Sequence, residues 1–273
     1  MTFGEVLGAS AFGVVALFAL VFAICNARRR YGWVDVTWCV GVALVVITGA
    51  VTMEVTTARS CLVAGMVALW ALRLASHLAA RLRAHERAGR DDPRYERMAA
   101  AAKRPAIVFF AFFQAQAMFV LLFALTPLAA MQREGPLDSL DLIGVTVWFI
   151  GVVLSGLADR QLRAARTSTD TGVCERGLWS WSRHPNYFFE WVSSCGFIFI
   201  GAADPVFGAI CFATPTAELL LLFTVTGIAP AEISSLHRRK AKYVSYQDRV
   251  PRFVPFLPEE RAVLARLQTG SDS

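Results

Sequence analysis

Long stretches without any charged side chain constrain this chain more than any other feature of its sequence. Residues 6–25, 36–53 and 105–131 contain no Asp, Glu, Lys or Arg. A helix needs about 20 mostly apolar residues to cross the hydrocarbon core of a bilayer, with about 17 as the short limit. Each of these three stretches therefore predicts a transmembrane helix.

Four further stretches are apolar enough to span a membrane: residues 60–80, 142–158, 187–203 and 205–229. With 56% hydrophobic and only 18% charged residues, the chain differs from soluble domains, in which about 25% of residues are charged. The sequence predicts an all-α, polytopic membrane protein with about seven transmembrane helices. We expect a single membrane domain over residues 1–258 and a short cytoplasmic tail over 259–273.

The basic residues predict how the helices are oriented. If the amino terminus lies outside, all of the 27 Lys and Arg except Arg59 and Arg133 lie in or beside inner segments. This partition follows the positive-inside rule, so the carboxyl terminus is predicted inside. The net charge of +6 is then explained by the basic residues of the inner segments, and it does not indicate a nucleic-acid partner.

The six cysteines indicate neither a metal site nor a redox pair. They are scattered without a CxxC spacing or a neighbouring histidine cluster, and such a pattern is needed for a structural zinc site. We therefore predict no bound metal.

Three carboxylates lie at membrane depth, where a charge costs a few kcal/mol and usually faces a cavity or a partner. Asp35 begins the second helix, Glu190 lies one turn into the sixth and Glu218 lies in the middle of the seventh. Asp35 is either an interfacial helix cap or a functional acid. Glu218 is either a structural partner of a hydroxyl group or a functional acid.

The densest group of polar residues lies in residues 177–191, just before and within the sixth predicted helix. Pro185 suits the first turn of a helix, so Arg183 and His184 would meet the first backbone donors there and form an anion site. Asn186 and Glu190, like Tyr187 and Trp191, are four residues apart and share stripes of that helix. These groups suit a nucleotide with hydroxyls, phosphates and flat rings.

Two flanking segments carry similar chemistry. Asp159 and Arg163 share one face at the inner end of the fifth helix, where a guanidinium fork would bind phosphate. Beyond the seventh helix, Glu232 precedes a basic stretch that leads to Tyr246. This stretch is a membrane-surface anchor or the cover of a cofactor pocket.

These motifs resemble those of a bacterial membrane family related to steroid 5-alpha-reductases. The likeness rests on Gly177-Leu-Trp-x-x-Ser-Arg-His-Pro-Asn-Tyr-Phe-x-Glu-Trp191, on Asp35-x-x-Trp38, on Trp70-x-x-Arg73-x-x-x-His77 and on Asp92-Pro93-Arg94-Tyr95. It covers nearly the whole chain. Sterol reductases and isoprenylcysteine-type methyltransferases carry closely similar runs.

The resemblance implies a seven-helix reductase that binds NADPH from the cytoplasmic side, with a substrate that enters from the lipid. It places the cofactor half of the domain at about 105–258. Within that half it places the nicotinamide nucleotide at Asp159, Asn186, Tyr187 and Glu190, and phosphate or ribose contacts at Arg163, Arg183 and His184. Glu232 lies where related enzymes place a His for the same purpose, and Tyr246 belongs to the matching tail. Two residues depart from the family pattern: Phe189 replaces a Gly, and Trp70 replaces a Tyr that polarises the substrate carbonyl.

We therefore expect an NADPH-dependent oxidoreductase that transfers hydride to a polarised C=C bond of a sterol-like or isoprenoid substrate. Asp35 is the first candidate for the acid that polarises the substrate, and Glu218 is the second. One alternative is an S-adenosylmethionine-dependent membrane methyltransferase, and another is a lipid-binding protein without activity. The expected location is a bacterial inner membrane or the endoplasmic reticulum, with the cofactor site facing the cytoplasm and membrane lipid as the surrounding partner.

Overall fold

The computed structural model describes residues 1–53, 57–168, 173–224 and 227–255, and the predicted tail over 259–273 lies outside these ranges. Within the described ranges the chain is built from helices, without a β-strand. The helices are α1 (Phe3–Arg28), α2 (Trp33–Thr52), α3 (Ala58–Arg87), α4 (Pro93–Ala101), α5 (Pro105–Ala130), α6 (Ser139–Ser168), α7 (Pro185–Gly201), α8 (Pro205–Ile210), α9 (Ala213–Thr224) and α10 (Ile228–Arg249).

Six helical stretches of the described chain are long and apolar enough to cross a membrane. They are α1, α2, α3, α5, the part of α6 over Ser139–Ala165 and the stretch Pro205–His237. The chain is thus a multi-pass, all-helical protein, and the seven passes predicted from the sequence are not confirmed. The sixth predicted pass is α7, whose 17 residues rise only about 26 Å at 1.5 Å per residue. That length is slightly less than the hydrocarbon core.

The last predicted pass is interrupted where the sequence suggests a continuous helix. Pro215 has no N–H to donate to the carbonyl of Cys211, four residues earlier. The hydroxyl of Thr126 donates to that carbonyl at 3.1 Å and accepts from the backbone N–H of Thr214 at 3.2 Å. A side chain of α5 thus satisfies the backbone groups that the break between α8 and α9 leaves open.

The Cα positions divide the chain into two compact units. Unit 1 contains residues Met1–Leu142 and Phe197–Thr214, and unit 2 contains residues Ile143–Gly196 and Pro215–Ser273. The prediction of a single domain over 1–258 stays a prediction, and each unit is described separately below.

In unit 1, a carboxylate holds the turn between α1 and α2. Asp91 accepts hydrogen bonds from the backbone N–H groups of Tyr31 at 2.6 Å and Gly32 at 3.2 Å. A Cβ atom at Gly32 would lie 2.5 Å from Leu82 Cδ2 and 2.9 Å from Asp91 Oδ1, so a larger residue would have to displace the carboxylate that holds this turn. Beyond this turn α2 packs along both α3 and α5.

At the opposite end of the helices of unit 1 lies a buried ion-pair cluster. The guanidinium group of Arg59 donates to both carboxylate oxygens of Asp141 at 2.9 Å and to backbone carbonyls of residues 133–136. Arg133 also binds Asp141. Arg59 is only 1% exposed. The cluster fixes the segment that joins α5 to α6.

In unit 2, α6 and α7 run antiparallel and approach closely at two glycines. A Cβ atom on Gly151 would lie 2.5 Å from the backbone nitrogen of Ser193. A Cβ atom on Gly196 would lie 2.6 Å from the carbonyl oxygen of Gly144. Small residues allow helix backbones in membranes to pack at short range. This packing sets which polar side chains of the two helices meet.

Candidate functional site

Two hydrogen bonds, one turn apart, connect α6 and α7 in unit 2. The amide Nδ2 of Asn186 donates to Asp159 Oδ1 at 3.2 Å. The hydroxyl of Ser155 donates to Glu190 Oε1 at 2.6 Å. Ser155 and Asp159, like Asn186 and Glu190, are spaced by four residues and share a helix face. The structure thus brings together three of the residues predicted to hold a nucleotide.

Asn186 keeps an open acceptor at this position. Its Oδ1 is buried and has no hydrogen-bond partner among the residues that the structure describes. A buried acceptor without a donor costs about 1–3 kcal/mol. An N–H or O–H group of a ligand would satisfy it.

The start of α7 is held by a serine that sequence reasoning did not single out. Ser182 Oγ accepts from the backbone N–H of His184 at 3.1 Å and donates to the carbonyl of Phe253 at 2.7 Å. The backbone N–H of Arg183 donates to the carbonyl of Pro251 at 2.9 Å. The Arg-His-Pro motif is therefore bound to the segment that follows α10.

Arg183 is buried and engaged by this same segment. Its Nη1 donates to the carbonyls of Gln247 at 2.8 Å and Val250 at 3.2 Å, and its Nε lies 2.7 Å from Glu232 Oε1. The side chain is 2% exposed. Arg183 thus ties the start of α7 to α10, whereas its predicted phosphate or ribose contact stays a prediction.

His184 shares the same carboxylate. Its Nε2 lies 3.4 Å from Glu232 Oε1, and its ring stacks on Tyr187 with a centroid distance of 5.5 Å and an interplanar angle of 4°. Burial lowers the pKa of His184, and the charges of Arg183 and Arg252 add to this effect, so that the pKa is lowered overall although the neighbouring Glu232 raises it. A neutral imidazole at pH 7 follows, with a ring face that Tyr187 extends.

Tyr246 has a packing role. Its hydroxyl donates to the carbonyl of Trp179 at 2.6 Å, and the indole N–H of Trp179 donates to the carbonyl of Ala158 at 2.9 Å. Burial raises the pKa of Tyr246 above its ordinary value. This chain of contacts connects α10 to α6 through the segment before α7, and the predicted cofactor contact of Tyr246 remains untested.

Three other residues of unit 2 that the sequence singled out lie outside the contacts described above. Arg163 is exposed on α6, four residues beyond Asp159. Glu218 of α9 accepts a hydrogen bond from Ser194 Oγ of α7 at 2.8 Å. Phe189, the departure from the family pattern, packs in a core with Ala158 and Leu178.

Asp35, the first predicted acid, lies in unit 1 within a network of its own. Its Oδ1 accepts from the hydroxyl of Tyr95 at 2.6 Å, and its Oδ2 accepts from Arg94 Nη2 at 2.6 Å. Arg81 lies 3.6 Å away. Both oxygens of Asp35 therefore act as acceptors here.

Asp92, the N-terminal cap of α4, joins this network. Arg94 Nε lies 3.0 Å from Asp92 Oδ1, and Arg81 Nη2 lies 3.1 Å from Asp92 Oδ2. Burial raises the pKa of Asp92, but the bonds and charge of Arg94 and the charge of Arg81 outweigh it and bring the pKa down to about 2. The carboxylate of Asp92 is thus ionised at neutral pH.

Sequence reasoning missed several residues of the site in unit 2. Ser155 lies four residues before Asp159, and this spacing could have indicated it. Gln247, whose amide donates to Glu232 Oε2 at 3.3 Å, follows Tyr246 in the tail motif. Ser182 belongs to the motif over residues 177–191, but the motif did not indicate its role, because its partner Phe253 lies about seventy residues away in sequence.

Comparison with known protein families gives one match. Residues 21–250 match the family DUF1295, which is described as a protein of unknown function. No curated protein and no solved structure matches the chain.

Proposed function

This chain belongs to the DUF1295 family, and we propose that it is an integral membrane reductase of the kind related to steroid 5-alpha-reductases. In this proposal, unit 2 binds NADPH, and the substrate is a lipophilic, sterol-like or isoprenoid molecule with a polarised C=C bond. We also propose that the amino terminus lies outside and that the cofactor site faces the cytoplasm. The membrane is a bacterial inner membrane or the endoplasmic reticulum.

The open acceptor of Asn186 carries the proposal. Its Nδ2 is engaged by Asp159, so the side chain is held in one orientation while Oδ1 stays buried without a partner in the described residues. The carboxamide N–H of a nicotinamide or a ribose hydroxyl has the donor that this oxygen requires. A polar side chain fixed in this way is typical of a preorganised ligand contact.

The phosphates of NADPH would need guanidinium groups near the same end of α6. Arg160 and Arg163 follow Asp159 within about one turn, and both are exposed. Planar forks of this kind bind phosphate in a bidentate manner. These two arginines, and Arg252 with a side chain 53% exposed, are therefore the residues that we assign to the phosphates.

NADPH supplies the hydride when it is bound, and this chain supplies orientation and a proton. The stacked rings of His184 and Tyr187 offer a flat surface to an aromatic ring of the cofactor. Glu218 accepts a hydrogen bond from Ser194 through one oxygen, and we propose its other oxygen as the site from which a proton is delivered. Asp35, with both oxygens engaged by Tyr95 and Arg94, fits this task less well.

S-adenosylmethionine is the second candidate, and one observation favours it. Arg183, which the motif offers for a phosphate, is engaged by Glu232 and by two backbone carbonyls. S-adenosylmethionine carries no phosphate, and its amino group could equally donate to Asn186. The two cofactors therefore differ in their need for Arg160 and Arg163.

The test is a titration of the purified protein in lipid nanodiscs with NADPH, NADH and S-adenosylmethionine. We expect NADPH to bind most tightly and Asn186→Ala to weaken it about 2- to 13-fold, the equivalent of one hydrogen bond. Arg163→Gln should weaken NADPH and leave S-adenosylmethionine unchanged. Glu175→Gln, in the same unit and paired at the surface with Arg249, is the control and should bind like the parent.

Two results would contradict the reductase proposal. Binding of S-adenosylmethionine without NADPH would favour the methyltransferase. If folded protein bound neither cofactor, a lipid-binding role without chemistry would account better for the site.

A further inference from the structure

Two arginines of unit 1 share one buried carboxylate at the end of the unit opposite the α1–α2 turn. Asp141 accepts hydrogen bonds from Arg59 and from Arg133. Asp138 accepts a further bond from Arg133 Nη2 at 3.0 Å. Arg59 and Asp141 lie in the first turns of α3 and α6, and the other two residues lie in the segment between α5 and α6. We call these four residues the Asp141 cluster.

The two guanidinium groups of the cluster differ in how fully they are bonded. All three nitrogens of Arg59 donate to protein oxygens. Arg133 donates through Nη2, whereas its Nε and Nη1 are buried and have no hydrogen-bond partner in the part of the chain that the structure describes. A guanidinium group can only donate. Arg133 therefore keeps buried donors for an acceptor from outside the described chain.

The buried charges of the cluster do not cancel. The side chains of Arg59, Arg133 and Asp141 are 1%, 4% and 3% exposed, which gives two buried positive charges and one buried negative charge. Asp138 is 49% exposed, so water screens its charge. A buried charge is costly unless it is paired. One further negative charge beside Arg133 would balance the cluster.

The position of the cluster indicates which anion is available there. The apolar stretch of α5 ends at Ala130 and that of α6 begins at Ser139, so Arg133 lies just beyond both. In a bilayer this is the depth of the polar headgroups. The first turns of α3 and α6 meet here, as the bond between Arg59 and Asp141 shows, and the positive ends of their helix dipoles favour an anion.

We propose that Arg133 binds a phosphate group, either in the headgroup of a membrane lipid or as a free phosphate ion. Phosphate oxygens accept hydrogen bonds at the open nitrogens of Arg133, as guanidinium groups commonly bind phosphate, while Nη2 keeps its carboxylate partners. Residues 134–139 are all exposed, and the ligand approaches from this side. The inference concerns unit 1 alone and does not depend on the function proposed for unit 2.

The test uses purified protein in dodecyl maltoside, a detergent without phosphate. Thermal unfolding is followed by tryptophan fluorescence while inorganic phosphate or dihexanoyl phosphatidylglycerol is added and sodium gluconate keeps the ionic strength constant. A ligand that binds only the folded state should raise the unfolding temperature. Arg133→Gln should weaken the binding about 10- to 150-fold, as expected for hydrogen bonds to a charged group.

Two controls accompany this titration. Arg104→Gln removes an exposed arginine at the opposite end of α5 and should respond to phosphate like the parent. Dihexanoylglycerol, which has the same acyl chains and no phosphate, should leave the unfolding temperature unchanged. A general effect of charge or of lipid chains would appear in these controls as well.

A second variant separates phosphate binding from the structural role of Arg133 in its ion pairs. Asp138→Asn removes a carboxylate that competes for this guanidinium group. Asparagine can still cap α6, where Asp138 accepts from the backbone N–H groups of Leu140 and Asp141. The change should strengthen phosphate binding by up to about 5-fold, the equivalent of a surface ion pair. An arginine with a structural role alone would show no response to phosphate in either protein.

A third measurement uses the unaltered protein, so that it does not depend on how a variant folds. 4-Azidophenyl phosphate, which forms a covalent bond under light, should label residues 131–141 or the first turns of α3. Inorganic phosphate should reduce this labelling.

The outcomes distinguish the two sources of the phosphate group. A response to inorganic phosphate alone assigns the site to a free ion, and a response to the short-chain lipid assigns it to a headgroup. Both support the site if Arg133→Gln weakens the response. No saturable response in the parent, an equal response in Arg133→Gln, or labelling confined to other segments would overturn the proposal.

Discussion

Replacing Arg183 by Met tests whether this arginine holds the fold or binds phosphate. In the structure its guanidinium group contacts Glu232 and the carbonyls of Gln247 and Val250, and the side chain is 2% exposed. Removal of one partner of a buried ion pair leaves an uncompensated charge and costs about 3–5 kcal/mol. We therefore expect the free energy of unfolding to fall by about that amount.

The assay is reversible unfolding in mixed detergent micelles, followed by tryptophan fluorescence. Arg163→Met is the matched control, because this exposed arginine should change the free energy of unfolding by no more than about 0.5 kcal/mol. The double variant Arg183→Met with Glu232→Met should be more stable than Arg183→Met alone, since it removes the carboxylate that the single change leaves unpaired.

Two outcomes would refute this reasoning. If Arg183→Met unfolded like the parent, the contacts with the segment after α10 would not stabilise the protein. If it remained as stable as the parent and lost NADPH binding, Arg183 would be a phosphate ligand, as the motif alone predicts.

Three further predictions follow from single contacts. Gly151→Ala should destabilise the protein by about 1–3 kcal/mol because a Cβ there meets the backbone of α7, whereas Gly65→Ala, with nothing within 4 Å, should be neutral or stabilising in the same unfolding assay. The free energy of unfolding should fall as the pH drops below about 6.5, because burial lowers the pKa of His184 in the folded protein and the unfolded chain therefore takes up this proton at a higher pH. His184→Gln should remove this contribution to the dependence of stability on pH. Arg59→Met should lower the free energy of unfolding by about 3–5 kcal/mol, because it removes one of the two guanidinium partners of the buried Asp141; an unchanged value would contradict the role of this cluster.

Local sequence determined the helices that cross the membrane. The charge-free stretch 6–25 lies within α1, and the stretches 36–53 and 105–131 lie within α2 and α5 except for their last residue. The reason is that a segment in lipid must satisfy its own backbone hydrogen bonds, and only a helix does so within one segment. The start of α7 at Pro185 was predictable for a similar reason, since proline has no N–H to lose in the first turn. These features depend on residues that are close together in the chain.

The spacing rules also predicted part of the candidate site. Asn186 and Glu190 share a face of α7, and Asp159 points from α6 toward that face, as the bond to Asn186 shows. Their partnership, however, depends on Gly151 and Gly196, which allow the two helices to approach. Helix periodicity assigns a side chain to a face, but it does not indicate which other helix covers that face.

The tertiary structure decided the roles of the charged residues. The sequence assigned Arg59 to an outer segment without indicating its partner, and the structure shows it buried on Asp141. Asp35 was predicted as a helix cap or a functional acid, and in the structure it is bound by Tyr95, sixty residues later in the chain. The break between α8 and α9 likewise depends on Thr126 of α5. A charge in lipid is stable only with its partner, and that partner is set by how distant helices pack.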